Sequence, residues 1–195
     1  GCLEVQVHQS FVWYRRGDFE KGLELTHDGL QKAAELKRDD LAGRIKVTMG
    51  LCLFRLEKLP EAEKLLSESA EILEQLQKNY DLASVLNNLS LVLNARGKSE
   101  EAQRTQQRAL ELWREQNAAS PLAHILNNIG WNLHLMGQHE SALAIYGEAL
   151  EWAKRGGNTR LEVAIYNGQS EIFVDLGDYE TAYTLADSAL QKSEQ

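Results

Sequence analysis

Three glycines with similar neighbours stand 40 residues apart: Gly97 in RGKSEEA, Gly137 in MGQHESA and Gly177 in LGDYETA. Backwards, Glu57 in LEKLPEA and Gly17 in RGDFEKG complete five copies with no insertion or deletion. Other columns hold the same register. Small residues recur as Ser10, Gly50, Ser90, Gly130 and Ser170, as Gly22, Ala62, Ala102, Ala142 and Ala182, and as Gly29, Ser69, Ala109, Ala149 and Ala189. Large residues fill a fourth column: Trp13, Leu53, Leu93, Leu133 and Phe173. A fixed period of this size marks stacked supersecondary units, each unable to bury its apolar face alone. The 195 residues are nearly five periods, so the chain reads as a one-dimensional array with no single globular core.

Each unit reads as two helices. Only two prolines occur in 195 residues, and aromatic content is 7%. Proline is excluded from helix interiors, and β proteins lean on aromatic residues, so both numbers favour helix. In the fourth copy, Ile125, Leu126, Ile129, Leu133 and Met136 keep helical spacing and predict helix A over Pro121–Met136. Gly137 suits the left-handed position that ends a helix. Helix B runs from about His139 to Lys154, and Gly156-Gly157-Asn158-Thr159 breaks the chain after it. Ser120-Pro121 reads as N-cap and first helical residue. Pro60 falls similarly near a helix B start. Ten helices with short loops are expected.

A small residue, a turn glycine seven later, then small residues five and twelve beyond it resemble the tetratricopeptide repeat. The best copy is LNNIGWNLHLMGQHESALAIYGEAL, Leu126–Leu150. Two departures stand out. The repeat is 40 residues long against about 34. The proline that usually closes a repeat is replaced by Ala34, Glu74, Arg114, Lys154 and Glu194. Long repeats of this kind resemble those of kinesin light chains, of sensor arms in large bacterial ATP-dependent transcription activators, and of peptide-sensing regulators. The resemblance implies an all-α, right-handed superhelix of five helix-turn-helix repeats, about 1–40, 41–80, 81–120, 121–160 and 161–195, in a single array. It also implies a non-catalytic scaffold whose helix A face lines a concave groove for peptides or helices.

Register places Phe11, Tyr14 and Arg15 on that face in the first repeat. Arg44, Val47, Leu51, Phe54 and Arg55 follow in the second, and Asn87, Leu91 and Asn94 in the third. The fourth offers His124, Asn127, Trp131, His134 and Leu135, and the fifth Asn167, Glu171, Val174 and Asp175. The groove would run from aromatic and basic, through Asn-rich, to acidic. The amides of Asn87, Asn127 and Asn167 both donate and accept. They either pair with a ligand backbone or bond to neighbouring helices and water; the resemblance implies the former. Asn88 and Asn128 are expected to bond between helices. Trp131 is a natural anchor if exposed. Trp13, Trp113 and Trp152 are expected in packing. The partner-binding set is therefore Asn87, Asn127, Asn167, Trp131, His134, Asn94, Phe54 and Arg55.

Sharper chemistries find no footing. The family's carboxylate clamp needs Lys and Asn where Val47 and Leu51 stand, and Lys and Arg where His124 and Asn128 stand. His124 and His134 share a helix face but lie ten residues apart, about 15 Å along the axis, so no metal is expected. No phosphate loop or nucleophile elbow is present, so no catalytic residue and no cofactor is expected. Arg15, Arg16, Arg55 and Arg96 read as a solvated edge. A net charge of −8 argues against nucleic acid as partner of this segment. No apolar run is long enough to span a membrane, and no signal peptide is visible, so a cytoplasmic location is expected. Cys2 and Cys52 make no disulfide framework. Gly1 in place of Met suggests a piece of a longer chain. The expected partner is a protein or peptide, bound by the sensor or interaction arm of a larger regulator. The alternative is a homodimer through terminal helices, driven by Ala182, Leu185 and Leu190.

Overall fold

The computed structural model describes residues 2–194, with side chains from Glu4 onward. The expectations resting on Gly1 and on the Cys2 thiol lie outside the described residues and side chains. Ten helices follow one another: α1 (Cys2–Arg16), α2 (Phe19–Glu35), α3 (Asp39–Arg55), α4 (Leu59–Gln75), α5 (Asn79–Ala95), α6 (Ser99–Glu115), α7 (Ala119–Leu135), α8 (His139–Arg155), α9 (Thr159–Asp175) and α10 (Tyr179–Ser193). No strand occurs among the described residues. Odd-numbered helices are the A helices and even-numbered ones the B helices.

The turns explain why the helices are so uniform. At Gly137, φ is +72°; its N–H bonds to the His134 carbonyl, and the Gln138 N–H bonds to the Leu133 carbonyl. That pair of bonds is a Schellman motif, which satisfies carbonyls orphaned at the helix end. The same two bonds close all nine turns among the described residues. Positive φ recurs every 20 residues, at Gly17, Lys37, Glu57, Gln77, Gly97, Asn117, Gly137, Gly157 and Gly177. The true structural step is therefore half the sequence period.

The missing prolines have a physical reason. Ala34, Glu74, Arg114 and Lys154 lie in the last turn of a B helix that continues past them. Proline there would remove an i→i−4 bond and clash with the preceding turn. The expected Ser120 cap is not found. Helix α7 starts two residues earlier, at Ala119, with Ala118 at the cap and no side-chain bond to it. Pro121 is tolerated because the first N–H groups of a helix have no intrahelical partner. True side-chain caps are Asp18, Asn158 and Asp178, each accepting from the N–H three residues on.

The chain divides into two compact units, Gly1–Leu112 and Trp113–Gln195. In the first, α1 to α5 pack as successive neighbours, and α1, α3 and α5 also meet A helix to A helix. Its core holds Val7, Ala33, Leu41 and Ile45, and beyond them Cys52, Leu66 and Leu73. In the second, α7 to α10 pack in the same way, with α7 against α9. Tyr146 is its largest fully buried side chain, 1% exposed. The small-residue columns lie at the helix crossings. A Cβ on Gly50 would fall 2.8 Å from Leu66 Cγ, and one on Gly130 would fall 2.9 Å from Tyr146 Cδ1. The Ser69 hydroxyl donates to the Gly43 carbonyl at 2.9 Å, and the Ser170 hydroxyl to the Ala182 carbonyl at 2.8 Å.

Candidate functional site

In the second unit the A-helix face is carried by α7 and α9. Residues 127, 131 and 134 fall on one stripe of α7 because they are four and three apart. Trp131 is 42% exposed, and its ring meets the His134 ring edge-on, with centroids 5.7 Å apart. Asn127 is half-buried and Asn167 exposed. Neither amide bonds to any other described residue. Glu171 and Asp175, exposed on α9, make the end of this face acidic.

His134 is held at the end of α7, its side chain only 9% exposed. Its Nε2 lies 2.8 Å from Oδ2 of Asp175, the last residue of α9. His139 opens α8, just past the turn, and its ring centroid lies 5.7 Å from that of His134. The Nδ1 atoms of both rings are buried and have no hydrogen-bond partner. One ligand-type atom from each of His134, His139 and Asp175 lies within 4.8 Å of the others. The within-helix spacing that excluded His124 with His134 does not bear on this cluster, which draws on three helices. His124 itself sits 3.4 Å from the Asn158 amide nitrogen.

In the first unit, the faces of α1, α3 and α5 enclose a cleft of about 230 Å³. Val7, Phe11, Val47 and Val85 give it apolar walls, and His8, Arg44, Asp81 and Ser84 give it polar ones. Phe54 and Arg55 border a second cleft with Phe19, Leu59 and Ala95; the Arg55 guanidinium stands 5.6 Å from the Phe19 ring. Asn87 is half-buried and Asn94 exposed on α5; neither amide bonds to another described residue. Leu51, expected on the face, is buried in the core at 9% exposure. It lies four residues beyond Val47, at the edge of the stripe that the small Gly50 draws inward against Leu66.

Other expectations are corrected or refined. Asn88 is half-buried and Asn128 exposed, and neither forms the inter-helix bond expected of it. One residue beyond the face stripe is a 100° rotation, which carries these amides to the margin of the helix contact. Trp113 is buried at 4%. Trp13 and Trp152 are half-buried beneath cations, Arg16 and Lys21 over the first and Arg155 over the second. Arg96 pairs with Glu63, which fits the solvated-edge reading. On α10, Ala182 is buried at 5%, so the exposed apolar groups there are Tyr179, Tyr183 and Leu190.

Helix pairs of fixed length closed by identical turns, with an open A-helix face, define a helical-repeat scaffold. The tetratricopeptide repeat family matches residues 41–115, 81–155 and 121–195, and the chain belongs to it. No curated protein sequence matches the chain. Solved structures share the fold. BtubC (BKLC) from P. vanneervenii superposes with a TM-score of 0.77 at 19% identity, over 95% of this chain and 77% of that one. The signal transduction ATPase PH0952 from Pyrococcus horikoshii, a STAND protein with a tetratricopeptide repeat sensor, gives 0.80 at 24% identity, over 96% of this chain and 28% of that one. A Rap protein complexed with competence and sporulation factor gives 0.70 at 13% identity, over 100% of this chain and 65% of that one. The fold class is thus the all-α tetratricopeptide solenoid, a scaffold typical of protein–protein interaction and generally non-catalytic. No helix among the described residues is long and apolar enough to cross a membrane.

Proposed function

We propose that the A-helix faces hold an extended peptide or a segment of a partner protein, and that the chain is the sensor or interaction arm of a larger cytoplasmic regulator. The carrying observation is Trp131, 42% exposed on α7 one turn from the unbonded amide of Asn127, with the unbonded Asn167 on α9 one repeat on. Satisfied structural amides would already have partners; these offer a donor and an acceptor each to a ligand backbone. A large, rigid aromatic ring next to them supplies contact area at low entropic cost. The clefts of the first unit, with Phe54, Arg55, Asn87 and Asn94 nearby, extend the same chemistry to a second surface. The regulator reading takes support from the STAND sensor and Rap neighbours, whose likeness is one of fold.

Peptides selected from a random display library against the wild-type chain provide the probe. Titrating them against Trp131→Ala and Asn127→Ala should show losses of about 30-fold for the tryptophan, the effect of a hot-spot residue worth about 2 kcal/mol. Unchanged affinity in both variants would remove this face from the binding site. A second reading rests on Tyr179, Tyr183 and Leu190, exposed by 70%, 76% and 57% on α10. These would mediate a homodimer, and light scattering of a Tyr183→Glu variant would then report monomer where the wild type reports dimer.

A further inference from the structure

We propose that His134, His139 and Asp175 bind a divalent transition-metal ion of the zinc class. This goes beyond the peptide reading and stands without it. Three observations converge on the cluster. Each of the three residues offers a ligand atom, all within 4.8 Å of one another. Both imidazoles have a buried Nδ1 with no hydrogen-bond partner, an unusual condition for a polar atom out of contact with water. The His134 side chain is nine-tenths buried and fixed against Asp175 by its Nε2.

The donor set selects the ion. Two imidazoles and one carboxylate suit zinc and its transition-metal neighbours, whereas calcium and magnesium take oxygen ligands. Three protein ligands leave at least one position for water. In a tetrahedral zinc site, ligand atoms about 2.0–2.1 Å from the ion lie about 3.4 Å from each other. The three ligand atoms already lie within 4.8 Å of one another, so side-chain movements of about 1 Å reach that spacing. The ion would take one nitrogen of each ring and one oxygen of the Asp175 carboxylate. Glu171, one turn before Asp175, adds negative charge on the same helix.

The test is equilibrium dialysis of the metal-stripped chain against Zn²⁺ with no peptide present. The wild type should take up one ion per chain, saturably. Loss of an outer partner to a metal ligand typically weakens affinity 10–100-fold, so His139→Gln and Asp175→Asn should each weaken it by about tenfold or more. Both positions lie at helix ends away from the core, and circular dichroism should show both variants folded. Co²⁺ in place of Zn²⁺ should give the visible bands of a low-coordinate ion, absent in His139→Gln. His124→Ala, on the same helix but outside the cluster, should bind Zn²⁺ as the wild type does. No uptake by the wild type, or uptake that His139→Gln and Asp175→Asn leave unchanged, would overturn the assignment.

Discussion

Gly168→Ala should destabilise the second unit although alanine is the better helix former. Gly168 lies on α9 facing Tyr146 of α8. A Cβ there would stand 2.5 Å from the Tyr146 hydroxyl oxygen and 2.6 Å from Cζ. Favourable contacts begin at about 3.5 Å, so the overlap approaches 1 Å. The ring has nowhere to retreat. It is 1% exposed, and its Cδ1 and Cγ lie 2.9 and 3.1 Å from where a Cβ on Gly130 of α7 would be. Two glycines from two A helices thus clamp one tyrosine.

Overpacking of this kind costs about 3 kcal/mol at the upper end of its range. Helix propensity returns about 1 kcal/mol. The net loss is about 2 kcal/mol, or about 4–8 °C in Tm for a chain of this size. Gly147 is the internal control. It lies on α8 with nothing within 4 Å of a Cβ, so Gly147→Ala should gain about 1 kcal/mol. Urea and thermal melts followed by circular dichroism measure both. In a Tyr146→Leu background the ring tip is gone, and Gly168→Ala should become neutral or stabilising. The clamp is wrong if Gly168→Ala is as stable as wild type, or if its loss is the same with Leu at 146.

Further outcomes follow from buried groups. Burial, with Glu20 adding to it, pushes the Cys52 thiol up to about 11. In a Cys2→Ser chain at pH 8 its labelling by a disulfide reagent should be slow until denaturant is added, since the thiolate is the nucleophile. Burial, and secondarily Glu171, pushes the Tyr146 phenol up to about 12 from its ordinary 10.0. A raised folded-state value gives stability that is complete below pH 10 and lost as pH climbs toward 12, so urea midpoints should fall in that window and fall less in Tyr146→Phe. Glu162 is 4% exposed, and its carboxylate lies 3.1 Å from Lys192 Nζ. Lys192→Ala leaves that group without its partner and should lower stability by about 1–3 kcal/mol, with Glu162→Gln in the same background recovering part of it.

The helices were legible because small-residue columns and apolar spacing survive five copies. The half-period was not. Positions 37, 77, 117 and 157 carry Lys, Gln, Asn and Gly, which form no column, yet at all four the chain turns at positive φ. The bonds that close those turns run between backbone atoms, so no particular side chain has to be repeated. The start of α7 is written loosely in the sequence for a related reason. Proline is tolerated anywhere in the first turn, so Pro121 bounds the start of α7 only to within a few residues.

The same geometry governs what could be read of the site. The face of α7 follows from helical spacing alone, and Trp131 is 42% exposed on that helix. Even Asp175 beside His134 is implied by the period, since 41 residues is one repeat plus one. His139 is different. Measured along helices, histidines five apart across a break have no defined relation, and the only histidine sharing a helix with His134 is His124. A three-residue Schellman turn reverses the chain between 134 and 139 and sets their rings 5.7 Å apart. In an array whose helices are all closed this way, a residue in the last turn of one helix regularly faces the first residue of the next. Side-chain clusters in such chains are therefore better sought across turns, at spacings of about five and about one period, than at the i, i+4 spacing that serves a single helix.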